Sequence, residues 1–169
     1  MNSSCFEIDI FLQPGDYWFG GADTCIRTLL GSCVAITLWH PAARQGGICH
    51  FMLPDRRRPR ALTAFSRELD GRYGREAWLW LQQQVRAHCL GLAQLEVGLF
   101  GGSRALALGG ARATAGVGAR NIKYAEACLR EAALAPHRRD LGGDGHRVLR
   151  FDLGSGRLWV RRGQSLGVT

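Results

Sequence analysis

The chain has 169 residues, 46% of them hydrophobic and 21% charged, a size and balance that suit one ordinary globular domain spanning 1–169. No run of 18 or more apolar residues occurs, so no membrane-spanning helix and no membrane insertion are expected, and the opening "MNSSCFEIDIFLQPGDYW" does not read as a secretory leader. The formal net charge of +8 rests almost wholly on arginine and favours acidic partners; nucleic acid is not expected among them, because the arginines are scattered and no helix-turn-helix, RRM or zinc-finger pattern is present.

In chain order, Phe6, Ile8, Ile10 and Leu12 alternate with polar residues, the period of a half-buried strand, and Pro14-Gly15 closes it as a turn. "TCIRTLL" forms a second strand, broken at Gly31-Ser32. "CVAITLWH" is nearly continuous in β-branched and apolar residues, which predicts a strand buried on both faces. Pro41 to Gly47 reads as a turn, and "GICHFMLP" as a fourth strand stopped by Pro54. "DRRRPRALTAFSRELDGR" is polar and reads as an exposed loop whose arginines are solvated or dock an acidic protein surface.

Ala77, Trp78, Leu81, Val85 and Cys89 keep helical spacing, so "YGREAWLWLQQQVRAHCLG" is read as a helix ended by Gly91. "QLEVGLFGG" is a strand entering a Gly-Gly turn, and "SRALALGGARATAGVGAR" has no clear period. Asn121 suits the cap of a helix through "IKYAEACLREAAL", with Ile122, Ala125, Leu129 and Ala132 on one face. "HRRDLGGDGHR" reads as a polar loop, and "VLRFDLGSGRLWVRR" as a hairpin around Gly154-Ser155-Gly156. Strands, helix, strand, helix, strands is the order of an α+β fold: a mixed or antiparallel sheet core with helices outside.

The six cysteines, at 5, 25, 33, 49, 89 and 128, include no CxxC pair and no zinc-like Cys/His spacing, so free thiols in a reducing cytoplasm are expected, with no metal and no cofactor. Cys33 stands at the Gly31-Ser32 corner. A glycine there permits a sharp bend and close approach of a substrate, and backbone N–H groups at Gly31 and Ser32 would suit an oxyanion. His50 lies on the next strand, and strands about 4.8 Å apart would let a facing Cys and His meet. A thiol becomes a nucleophile as thiolate, so His50 would take its proton and later protonate a leaving group. Cys49 would point away from any site His50 faces. Spacing alone leaves open whether this is catalysis or a buried small residue near an incidental histidine. The glycine-rich pieces at 100–103, 116–121 and 140–147 lack the strand-loop-helix context of a nucleotide site.

"TLLGSCVAITLWHP" followed by "GGICHFMLPD" resembles the opening signature of the CheD family, the bacterial chemoreceptor glutamine deamidases; "FLQPGDYW", "RYGREAWLWL", "LFGGS", "GARN" and "DLGG…GHRVLRFDLGSGRLWVRR" resemble other blocks of that family in the same order. The resemblance implies hydrolysis of receptor glutamine amides to glutamate and ammonia, with methyl-accepting chemotaxis receptors as partners. It further implies Cys33 and His50 as catalytic residues, a cytoplasmic location, and a β-sandwich core with flanking helices similar to bacterial toxin cysteine deamidases. Some members also bind CheC-type phosphatases, so a catalytically weak module binding such a phosphatase or the receptor is the alternative. A threonine shortly before the cysteine is a third catalytic member in at least one branch; six residues before Cys33 stands Arg27, and Thr28 is one step later.

Overall fold

The structure is a computed structural model, which describes residues 8–104 and 116–163. The beginning of the first expected strand, Phe6, and most of the aperiodic Gly/Ala-rich stretch lie outside the described residues.

Among the described residues the strands are β1 (Ile8–Leu12), β2 (Tyr17–Gly20), β3 (Thr24–Leu30), β4 (Val34–His40), β5 (Gln45–Phe51), β6 (Glu96–Gly101), β7 (Arg138–Leu141), β8 (Arg147–Asp152) and β9 (Leu158–Arg162), with helices α1 (Gly74–Ala87) and α2 (Val117–Glu131). They form a four-stranded sheet ordered β1-β3-β8-β9 and a five-stranded sheet ordered β2-β5-β4-β6-β7. Two pairings, β1 with β3 and β6 with β7, are parallel; the others are antiparallel. This is the expected α+β fold with mixed sheets.

The five-stranded sheet is the middle layer. Successive side chains of a strand point to opposite faces, and β4 serves two cores. Val34, Ile36 and Leu38 join Ala77, Trp78, Leu81 and Val85 of α1 and Ala125, Cys128 and Leu129 of α2. Ala35 joins Ile26 and Leu30 of β3 and Leu149 and Phe151 of β8 in a second cluster between the sheets. Burial of β4 on both faces, expected from its composition, follows from this layering. Each fully buried Val, Leu, Ile or Phe contributes about 1.5–3 kcal/mol.

Five elements differ from expectation. Tyr17–Gly20 form β2 directly after the Pro14-Gly15 turn, and β5 begins at Gln45, inside the stretch read as a turn. Arg138–Leu141, four residues of a loop-like charged run, form β7 at the edge of the middle sheet, where one side of each strand faces solvent and charge is tolerated. Helix α1 ends at Ala87, leaving Cys89 beyond it, exposed and with φ of 55°. Helix α2 starts at Val117, after Gly116 with φ of 90°, so Asn121 is a buried residue within the helix and not its cap.

The loop after β5 is more than a solvated run. Glu76, in the first turn of α1, is 1% exposed, and its carboxylate accepts bonds from Arg56, from Arg60 (3.0 Å) and from the Asp70 N–H (2.9 Å). The buried anion fastens both ends of the 55–72 segment to the helix. No helix of the described residues is long and apolar enough to cross a membrane.

Candidate active site

Thr28 sits where the alternation of β3 turns it inward: Arg27 and Leu29 are exposed, while Thr28 and Leu30 are fully buried. Arg27, at the position counted from the family pattern, points outward and pairs with Asp9 at 2.9 Å. The threonine facing the interior is therefore the residue one step later. In the parallel β1–β3 pairing Thr28 lies beside Leu12, and its Oγ1 donates to the Leu12 carbonyl at 2.9 Å.

His50 is carried by β5 and is fully buried. Its neighbour Cys49 packs in the helix-side core, where burial pushes its thiol up to about 12, and His50 faces the other sheet, as the alternation of a strand requires. The turn before β2 clamps its backbone: His50 N–H donates to Asp16 O at 3.0 Å, and Gly15 N–H donates to His50 O at 2.7 Å. Across the gap between the sheets, His50 Nδ1 lies 2.8 Å from Thr28 Oγ1.

The tautomer follows from counting protons. Thr28 has one hydroxyl hydrogen, and the Leu12 carbonyl, which can only accept, takes it. Thr28 Oγ1 must then accept from His50, so Nδ1 carries the proton and Nε2 keeps its lone pair. Nε2 is buried and has no hydrogen-bond partner among the described residues. Burial lowers the imidazole pKa to about 4, opposed by the Asp16 carboxylate. At neutral pH the ring is an uncharged base with an unoccupied Nε2.

Cys33 lies in the bend Gly31–Cys33 between β3 and β4 and is partly exposed, with its side chain against the inter-sheet cluster. It does not face His50 directly. The partner of His50 across the β4–β5 ladder is Ala35, and Cys33 precedes β4, two residues back on the same side. The facing Cys–His pair expected from strand spacing is not formed: by register Cys33 is a diagonal neighbour of His50, and diagonal neighbours on a sheet face lie roughly 7–8 Å apart. Burial raises the Cys33 thiol above its ordinary range, and the bond from its own backbone N–H acts in the opposite direction.

All three carbonyls of the bend are held from behind. Gly31 O accepts from Ser103 N (2.9 Å), Cys33 O from Gly102 N (2.8 Å), and Ser32 O from Asn121 Nδ2 (3.0 Å). Gly101, with φ of 110°, makes this approach possible: a Cβ there would lie 2.1 Å from Cys33 O. Gly31 itself adopts no left-handed φ, and a Cβ on it would meet open space. The bend therefore does not depend on glycine's conformational freedom, but the corner is open to a visitor. Exposed Leu29, Met52 and Leu53 flank it along β3 and past β5.

Thr28 and His50, both named from the sequence, thus meet across the inter-sheet gap, and the Gly31–Cys33 bend follows the strand that carries Thr28. Asn121 was not among them. Its sequence signals are its place at the end of the family-like block GARN, to which the resemblance attaches no role, and a polar residue in an otherwise amphipathic helix, which reads equally well as a cap.

A family model, described as CheD chemotactic sensory transduction, matches residues 52–162. Among similar proteins, the probable chemoreceptor glutamine deamidase CheD 1 of Chromobacterium violaceum is 41% identical over 155 residues, 92% of this chain and 78% of that protein. The chain belongs to the CheD family. Other CheD proteins match over similar lengths: the probable chemoreceptor glutamine deamidase CheD 3 of Dechloromonas aromatica at 41% identity (90% of this chain, 86% of that protein), and the probable chemoreceptor glutamine deamidase CheD 1 of Leptospira interrogans at 34% (92% and 93%). The CheD model begins at residue 52, beyond His50, but alignments over nine-tenths of the chain leave too few residues outside them to omit β3 to β5.

Proposed function

We propose that this CheD protein is a chemoreceptor glutamine deamidase, a cysteine amidohydrolase acting on methyl-accepting chemotaxis receptors. In this reading Cys33 is the nucleophile, His50 the acid/base and Thr28 the group that orients His50. The names of the relatives support the activity. The observation that carries the chemistry is the proton count at Thr28, which leaves His50 Nε2 as a lone pair in a buried site beside the cysteine bend.

The thiol is raised and the imidazole is lowered, so the resting pair is a neutral thiol and a neutral base, not a preformed ion pair. His50 Nε2 takes the Cys33 proton as Sγ attacks the glutamine Cδ. The carbonyl oxygen becomes an oxyanion, which the N–H groups at Gly31–Cys33 receive. The imidazolium passes its proton to the departing amine, ammonia leaves and a thioester remains. His50 then deprotonates water, whose oxygen attacks the thioester carbon; glutamate forms and the thiol regains its proton. General acid/base help of this kind contributes about 10²–10⁴ in rate. No step calls for a metal or organic cofactor.

The test is deamidation of purified chemoreceptor, followed by the mass gain of glutamine-to-glutamate conversion. Cys33→Ala and His50→Ala are expected to abolish conversion; a Cys33→Ala protein that converts receptor at the wild-type rate overturns the reading. The raised Cys33 thiol favours a second reading, a catalytically weak module that binds receptor or a CheC-type phosphatase. Receptor binding without any conversion by the wild-type protein would support that second reading.

A further inference from the structure

Asn121 is fully buried, and its Nδ2 donates to two carbonyls of different strand ends: Ser32 O at 3.0 Å, in the cysteine bend, and Met52 O at 2.8 Å, just past β5. Both neighbours can only accept, so the amide nitrogen must be the atom that faces them. Oδ1 is buried and has no partner among the described residues. A second contact fixes the first turn of α2 against the same place. A Cβ on Gly118 would lie 2.5 Å from both Gly102 O and Ser103 O, the strap whose N–H groups hold Cys33 O and Gly31 O.

A trans peptide sets its C=O and the following N–H in opposite directions. With Ser32 O drawn toward Asn121, the Cys33 N–H points away from the helix; with Gly31 O drawn toward Ser103, the Ser32 N–H points away from the strap. Among the described residues no other residue accepts from either N–H.

We infer that Asn121 is a positioning residue for the reaction, holding the Cys33 peptide so that its N–H, with that of Ser32, is aimed at the oxygen that becomes negative during attack. The inference rests on the Cys33–His50 reading above. Asn121 also ties Ser32 to Met52, so the same side chain anchors the bend that carries the oxyanion donors.

The test compares Asn121→Ala and Asn121→Ser with wild type in two assays. The first is receptor deamidation, resolved into kcat and KM. The second is alkylation of Cys33 by iodoacetamide, a displacement at a saturated carbon that develops no carbonyl oxyanion. Loss of an aimed oxyanion donor predicts a kcat about 10²-fold lower, with KM and the Cys33 alkylation rate within about threefold of wild type. A kcat within about threefold of wild type in either folded variant overturns the inference, as does a fall in kcat matched by an equal change in alkylation. If neither variant folds, Asn121 is structural and the inference falls. Cys33→Ala, run alongside, separates this failure from failure of the underlying reading, because that variant alone tests whether the thiol is needed.

Discussion

Replacing Thr28 with valine keeps the shape of the side chain and removes its one hydroxyl. Two buried groups then lose their partner together: the Leu12 carbonyl, bonded at 2.9 Å, and His50 Nδ1–H, at 2.8 Å. A buried polar group left unsatisfied costs about 1–3 kcal/mol. Thr28→Val should therefore lower unfolding stability by on the order of 4 kcal/mol, a large share of the roughly 5–15 kcal/mol a domain possesses. The kinetic effect is separate. Without an acceptor at Nδ1 the proton is free to move to Nε2, which removes the base. Where an enzyme's orienting aspartate is made asparagine, imposing the wrong tautomer costs about 10⁴ in kcat. Thr28 is neutral and lends the imidazolium no charge stabilisation, so a fall of about 10² is expected here. Thr28→Ser keeps both bonds and loses one methyl, so its kcat should stay near wild type with a stability loss of about 1 kcal/mol. The measurements are urea unfolding and receptor deamidation. A folded Thr28→Val protein with kcat within about threefold of wild type would refute the tautomer argument.

Two further predictions follow from buried ionisable groups. The folded-state pKa of His50, about 4, lies below the 6.5 of an unperturbed histidine, so the unfolded chain binds the proton more readily. Its contribution is therefore complete above pH 6.5 and is lost as pH falls to about 4, some 3 kcal/mol in all. Urea midpoints measured across that window should fall more steeply for wild type than for His50→Gln, and equal slopes would contradict the burial. Glu76→Gln removes the buried charge that holds Arg56 and Arg60; both arginines are partly exposed, so the expected loss is about 2 kcal/mol, with faster tryptic cleavage inside 55–72. An unchanged cleavage pattern would show that the carboxylate does not fasten this segment.

Residues whose environment is set by their own strand were readable from the chain. The turning of Cys49 away from the face of His50 and the doubly buried β4 follow from the alternation of side chains and from composition. What was hidden depends on partners far along the chain. The pairing of His50 with Ala35 is a matter of ladder register, which the strand patterns alone do not specify. The arginines at 56 and 60 read as solvated because their anion, Glu76, lies 16 to 20 residues away inside a helix pattern. Asn121 meets Ser32 and Met52 across 89 and 69 residues, and β7 is built from charges because an edge tolerates them.

The bond between Thr28 and His50 joins the two sheets, since Thr28 belongs to the β1-β3-β8-β9 sheet and His50 to the β2-β5-β4-β6-β7 sheet. Neither sheet alone holds the imidazole in its Nδ1–H form. During refolding, that tautomer is locked only after the sheets have stacked in their final alignment, however early each sheet has formed. Recovery of the buried imidazole proton is thus a clock for the last docking event, and any activity that depends on it should lag behind the return of secondary structure.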